Sequence, residues 1–352
     1  MAKEMISISE IAKICQLSKV TAARVLSPNN KIKVADVTRK RVLEIAKKFN
    51  YRPNRVASSF SSGKTQMIGL IGYSLSDHFL GGIFTGIHEF LYPLGYDFQL
   101  LLWSHHLRAK DRLLQSIVDR RLDGVIIAQD DESIDYQYLN ELQIYGIPVV
   151  AVDREVPIPD ISFVGSDDFG GAMDATEHLI NAGHKKIVFA GGTNREKPVL
   201  STTRRRLEGY REAMIRNNLR PLPEWLFEYK GDRAANQEYL KNKLQEVESP
   251  TAVFANNDSI AADIVVSAHE LGIKIPDNLS VVGFSDEPIS RVVNPALTTI
   301  RQEPNEIGRK SAEILLKRIN DKNPGQGILE NGPEKIYLPT TLIERNSVRK
   351  IN

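Results

Sequence analysis

From Met67 to Asp286 the chain alternates short apolar runs with amphipathic segments, and this alternation limits the possible folds more than any other feature. The runs are MIGLIGY, DFQLLLW, DGVIIAQ, IPVVAVD, KKIVFAGG, TAVFANN and LSVVGFSD. Between them lie segments with helical spacing: Gly82 to Leu94, Ala109 to Arg121, Gly170 to Ala182, Arg204 to Asn217 and Ser259 to Leu271. A run too short to be a buried helix, followed by a segment of 3.6 periodicity, reads as strand then helix. Repeated, that unit builds parallel sheets with helices on both faces. Such sheets hold ligands at the carboxyl ends of their strands. The polar residues there are Tyr73-Ser74, Asp130, Asp153-Arg154, Asn257-Asp258 and Ser285-Asp286.

The first 64 residues have a different character. They hold nine lysines and five arginines against four acids, a net charge of +10. The whole chain of 352 residues carries only +2, so the rest is −8. A basic head on an acidic body points to a polyanion-binding module joined to something else. The head reads as three short helices. Ser7-Ile8-Ser9-Glu10 has the form of a capping box, with Ile8, Ile11, Ala12 and Cys15 following at helical spacing. Ser18 is placed to cap a second helix, Lys19 to Leu26. A third is expected from about Asp36 to Phe49, with Val37, Val42, Ile45, Ala46 and Phe49 on one face. Two short helices joined by a tight turn, with a third packed behind, form a helix-turn-helix.

Several classes are disfavoured. No apolar run reaches the roughly 18 residues of a membrane span, and the N-terminus lacks the apolar core of an export signal. The expectation is a cytoplasmic protein with no membrane partner. The single cysteine, Cys15, permits no disulfide framework and is expected to be a small buried hydrophobe. Ser62-Gly63-Lys64-Thr65 imitates the end of a phosphate loop, but the first glycine of that motif is here Ser58. GLIGYS lacks the glycine spacing of a dinucleotide loop, and His105-His106 have no further ligands nearby in sequence. No enzyme, cofactor or metal is expected. An exported solute-binding protein would share the body but not the basic head. A general nucleoid protein would explain the charge but not the body.

Seven motifs, in order, carry a resemblance: ISEIAKICQLSKVTAARVLS, TRKRVLEIAKKFNYRPNRVAS, VDR, ATEHLINAGHKKIVFAGG, RRRLEGYREAM, FANNDSIA and IPDNLSVVGFSDEPISRVVNPALTTIRQ. With them nearly the whole chain resembles the lactose/galactose-repressor (LacI/GalR) family of bacterial transcription regulators. The resemblance implies an all-α helix-turn-helix head (1–50), a hinge helix (51–64) and a two-lobed α/β body like periplasmic binding proteins (65–352). The expected lobes are 65–165 with 296–325, and 166–295 with 326–352.

It also implies a switched repressor. The second helix lies in the major groove, so DNA contacts are expected from Ser7, Ser18, Lys19, Val20, Thr21 and Arg24. Lys19 and Arg24 can donate to guanine; Val20 and the Thr21 methyl can touch a thymine methyl. Ala23 and Ser27 depart from the family's usual Ser and Asn. In the hinge, Asn54, Arg55, Ala57 and Phe60 are implied DNA contacts, with Asn54 as the helix cap and Gly63 as its end. Phe60 stands where the family typically has a leucine that wedges between base pairs in the minor groove.

The effector is expected between the lobes, touching Tyr73, Ser74, Phe79, Asp153, Arg206, Arg233, Asn257, Ser285 and Asp286. Ser285 occupies a position that is usually Asp, and Arg233 one that is often aromatic. Arg206 and Arg233 together favour an anionic ligand, a sugar acid or sugar phosphate. The implied partners are operator DNA, a small carbohydrate-like effector and a second copy of the chain. A dimer rather than a tetramer is expected, because the sequence stops soon after LIERNS.

Overall fold

The computed structural model describes residues 6–26, 34–51, 63–74, 76–102, 109–128, 136–192, 201–229, 233–244, 249–320 and 332–351, the side chains of 109–111, 233 and 244 excepted. The chain divides into two units, 1–65 and 66–352.

The smaller unit holds helices α1 (Ile8–Cys15), α2 (Lys19–Leu26) and α3 (Asp36–Lys48). The capping box at the start of α1 is complete. The Ser7 Oγ accepts from the Glu10 amide, and the Ser7 amide donates to the Glu10 carboxylate at 2.7 Å. Gln16 leaves α1 in the left-handed conformation, which makes the tight turn. Ser18 caps α2, its Oγ accepting from the Thr21 amide at 3.1 Å. Ile11, Cys15, Val25, Val42 and Ala46 form the core. The expected third-helix face is corrected at both ends. Val37 is 80% exposed and Phe49 45% exposed, so the buried stripe of α3 is Val42 and Ala46, with Ile45 packed beside it.

The larger unit contains two six-stranded sheets. The first has the order β11-β5-β4-β3-β1-β2, built from β1 (Met67–Gly72), β2 (Asp97–Leu102), β3 (Gly124–Ala128), β4 (Val149–Val152), β5 (Ser162–Ser166) and β11 (Lys335–Leu338), all parallel. The second has the order β12-β10-β9-β8-β6-β7, built from β6 (Ile187–Gly191), β7 (Leu226–Glu228), β8 (Ala252–Ala255), β9 (Ser280–Ser285), β10 (Thr298–Arg301) and β12 (Thr341–Ile343), parallel except for β12. Helices α4 (His78–Leu91), α5 (Ala109–Asp119), α6 (Gln137–Ile144) and α12 (Pro304–Asn320) accompany the first sheet. The second has α7 (Asp168–Asn181), α8 (Ser201–Arg216), α9 (Arg233–Leu244), α10 (Asp258–Glu270) and the single turn α11 (Ile289–Val292). The order 2-1-3-4-5, repeated in the second sheet as 7-6-8-9-10, opens a crevice at the carboxyl ends of β1 and β3, and of β6 and β8.

The lobe boundaries differ from those expected. β10, placed with the first lobe, pairs with β9 (Thr298 opposite Val282) and belongs to the second. β11, placed with the second, pairs with β5 (Lys335 opposite Phe163) and belongs to the first. The chain therefore changes lobe between β5 and α7, between β10 and α12, and between β11 and β12. Helix α12 does lie in the first lobe, where it crosses α4 at very short range. A Cβ on Gly86 would stand 1.9 Å from the Asn305 carbonyl oxygen, and one on Gly308 2.0 Å from that of Ile83. Only glycine allows the two backbones this contact. No helix among the described residues is long and apolar enough to cross a membrane.

Candidate functional site

Ala22 and Val25 turn α2 onto the head's core, which leaves Lys19, Val20 and Arg24 exposed on the opposite side. Val20, 59% exposed, is a large apolar residue that the head does not use for its own packing. Ser18 and Thr21 share a hydrogen bond between their hydroxyls at 2.8 Å, which orients the Thr21 methyl. Ser7 caps α1, its Oγ accepting from the Glu10 amide. Lys19, Val20, Thr21 and Arg24 thus form one polar, basic surface of the kind that reads base edges and phosphates. Asn54, Arg55, Ala57 and Phe60 lie outside the described residues; Gly63, the expected end of the hinge, has the left-handed φ of +70°.

In the body the expected effector residues gather where the two sheets' carboxyl ends face each other. Three of them have positive φ without being glycine: Asp153 (+67°), Ser285 (+113°) and Asp286 (+54°). Such backbone is costly and tends to cluster at functional sites. Asp153 is buried after β4, with Arg154 3.6 Å from its carboxylate. Burial pushes its carboxyl up, Arg154 and Arg206 pull it down, and Asp77 pushes it up again. Arg206, on α8, donates to Asp168 at 2.7 Å and to the Asn256 carbonyl at 2.6 Å, and its guanidinium lies 3.9 Å from the centre of the Phe284 ring. Burial pushes Asp168 up to about 6 despite Arg206 beside it. Tyr73 donates to Asp77 at 2.9 Å, and Arg154 lies over its ring. Ser74 bonds with Ser76.

Two expected contacts have structural partners of their own. The Asn257 side chain caps α10, accepting from the Ile260 amide at 2.8 Å. Asp286 is held by three guanidinium groups, accepting from Arg291 at 3.0 Å, from Arg301 at 2.8 Å and from Arg345. Burial acts to raise its pKa, but Arg345, Arg301 and Arg291 outweigh that and hold it at about 2. Asp286 therefore anchors arginines and does not offer a bare carboxylate to a ligand. Ser285, in the position expected of an acid, donates to Gln302 at 2.8 Å, and Gln302 donates to Ser166 at 2.8 Å. This chain joins the end of β9 in the second lobe to the end of β5 in the first. Of Arg233 only the backbone, at the start of α9, is described.

A cavity of about 150 Å³ lies between the lobes, lined by His78, Phe79, Ser285, Asp286, Glu287, Arg291, Arg301, Gln302 and Pro304. Phe79, Ser285 and Asp286 were expected here. His78, Glu287, Arg291, Arg301, Gln302 and Pro304 were not, nor was Asp168, the buried partner of Arg206. Some signal for them exists. Arg301 ends a strand and Gln302 follows it, as Asp153 follows β4, and Asp168 stands at the start of a helix. Glu287 lines the cavity with His78 and Phe79 of the first lobe and accepts from Ser259 at 3.2 Å, and burial raises its carboxyl.

Comparison with known proteins gives this arrangement its place. Residues 7–54 match the family model of bacterial regulatory proteins of the lacI family, and residues 176–348 that of a periplasmic binding protein-like domain. The chain is 31% identical over 350 residues to the HTH-type transcriptional repressor PurR of Haemophilus influenzae strain PittEE, covering 99% of this chain and all of that one. It is 29% identical to the probable HTH-type transcriptional repressor ExuR of Bacillus subtilis strain 168, covering 99% of each. A crystal structure of the Lac repressor dimer bound to operator and the anti-inducer ONPF superposes with a TM-score of 0.79 at 25% identity, over 98% of this chain and all of that one. The head with its exposed second helix, the two-lobed body and this likeness along the full length agree: the chain belongs to the LacI family of bacterial regulatory proteins and is a DNA-binding transcriptional repressor, not an enzyme.

Proposed function

We propose that two copies of this chain bind a pseudo-palindromic operator and that a small polyhydroxylated effector between the lobes sets their affinity for it. The observation that carries this reading is the surface of α2. Lys19, Val20 and Arg24 face away from the head's core on a unit of net charge +10. A lone head would read only a few base pairs. Two heads on a dimer read two half-sites about one helical turn apart. Hinge residues 51–64 join each head to its body, with Phe60 as the apolar wedge into the minor groove. The Lac repressor relative, seen as a dimer on its operator, supports this assembly.

Buried Asp153 and the cleft acid Glu287 can accept from adjacent hydroxyls of the effector, and Phe79 lies at the cavity wall. The Ser166–Gln302–Ser285 chain crosses between lobes, so a ligand that changes their angle changes these contacts. A coupling of about 1–3 kcal/mol would shift operator affinity about 5–150-fold. The test is the mass of the protein–duplex complex, followed by titration of the same duplex with and without ligand. Two chains per duplex and a ligand-dependent affinity support the reading. One chain per duplex, or an affinity indifferent to every ligand that binds the body, overturns it.

A further inference from the structure

We propose that the effector is an anionic carbohydrate, bearing a carboxylate or a phosphate, held with its charged end on Arg291 and Arg301 and its hydroxyls toward Asp153 and Glu287. This rests on the reading that the interlobe cleft is the effector site, and it moves the charge recognition away from Arg206. The Arg206 guanidinium is buried and turned to Asp168 and the Asn256 carbonyl, so its charge is already balanced by a buried carboxylate.

The cavity wall is different. One carboxylate, Asp286, is shared by three arginines. Its single charge leaves an excess of two positive charges, and two of those arginines, Arg291 and Arg301, line the cavity. Arg301 gives Asp286 only its Nε, and Arg291 only one Nη. The rest of each guanidinium has no hydrogen-bond partner among the described residues. Both side chains are partly exposed, 59% for Arg291 and 41% for Arg301, so an incoming anion reaches them without dismantling a buried pair. Glu287 returns one negative charge, so Arg291, Arg301 and Arg345 against Asp286 and Glu287 sum to +1, the excess coming from Arg345, which pairs with Asp286 but does not line the cavity. Asp286 fixes the two forks in place, and pre-positioned guanidinium groups suit the paired oxygens of a carboxylate or phosphate.

Beyond Glu287 the cleft turns acidic. Asp77, Asp153 and Asp168 stand there against Arg154 and Arg206, joined through Tyr73, and Asp77 also acts on Glu287. A ligand anionic throughout would be disfavoured at that end, and a neutral sugar would leave the arginine wall unused. A molecule with hydroxyls at one end and an anion at the other fits both.

The experiment is calorimetric titration of the full-length protein with D-gluconate, D-galacturonate and D-glucose 6-phosphate, each paired with its neutral counterpart D-glucose or D-galactose. The expected result is that at least one anion binds about tenfold or more tighter than its neutral partner, with an affinity that falls as salt rises. Carboxylate and phosphate sources separate by which anion binds. Arg291→Gln, which leaves Arg301 and Arg345 on Asp286, should collapse the anion-to-neutral ratio; Arg301→Gln, which leaves Arg291 and Arg345, should do the same. Neutral sugars binding as tightly as their acids, an anion preference that survives Arg291→Gln, or no binding by any probe overturns the proposal. Asp153→Asn separates the two levels. If a probe binds but Asp153→Asn leaves its affinity untouched, the placement of the effector in this cleft fails, whatever the ligand's charge.

Discussion

Replacing Arg206 by Met gives the most demanding test of the energetics of the cleft. The guanidinium and its partner Asp168 are both nearly sealed from water, with side-chain exposures of 7% and 4%. Removing the cation leaves Asp168 buried without its counter-charge, with Asp153 close enough to repel it. Breaking one side of such a pair costs about 3–5 kcal/mol, a large part of the stability of an ordinary domain. The loss should depend on pH in a definite direction. Asp168 already titrates at about 6 in the folded chain, against 3.8 as the ordinary value. A raised carboxyl costs stability above its folded pKa and regains it as pH falls toward the unfolded value. Without Arg206 the folded pKa rises further, so the variant is hurt most at pH 7–8 and recovers on acidification toward pH 5. The assay is denaturant unfolding of the body in wild type and Arg206→Met at several pH values, read as a difference so that other groups cancel. A deficit below about 1 kcal/mol, or one that is constant from pH 8 to 5, would refute the reasoning.

Asp286→Asn should behave in the opposite sense. Its carboxyl sits at about 2 rather than 3.8, so its contribution is present above pH 4 and fades as pH falls through 2; the gap between wild type and variant should close over that window, by the same unfolding assay. Gly86→Ala would ordinarily stabilise a helix by about 1 kcal/mol. Here the added methyl meets the Asn305 carbonyl, and a net loss of about 1–3 kcal/mol in thermal or denaturant unfolding is expected. Ser7→Ala removes one half of a reciprocal cap and should cost the head about 1 kcal/mol, seen as faster amide exchange in α1 with the body unchanged.

The strand–helix alternation was legible because it is a local property: each apolar run announces its strand and each periodic stretch its helix. The capping box of α1 and the Ser18 cap were legible for the same reason. What the residues concealed was pairing at a distance. Nothing near Thr298 says that it will lie beside Val282, or near Lys335 that it will lie beside Phe163, so β10 and β11 were assigned to the wrong lobes. The site shows the same divide. That Asp153, Ser285 and Asp286 end strands could be read directly. That the Asp286 carboxylate is consumed by arginines depends on Arg345, which is remote in sequence. The Asn257 cap was legible too, because an Asn immediately before a helix is a ready cap, and that reading needs no distant partner. Val37 and Phe49 fitted the helical period of α3 yet lie at its ends, where the periodicity outruns the head's small core.

The measurement that bears most directly on the whole account is selection of bound duplexes from a randomised DNA pool at near-physiological salt. The full-length chain would be compared with Lys19→Ala, with Phe60→Ala and with a chain beginning at Thr65. The account predicts that the full chain enriches a short pseudo-palindrome with an easily kinked central step. Lys19→Ala should relax the half-sites, Phe60→Ala should weaken the central preference, and the truncated chain should enrich nothing. An unselective pool bound with a steep salt dependence, or the same site enriched without the head, would contradict it.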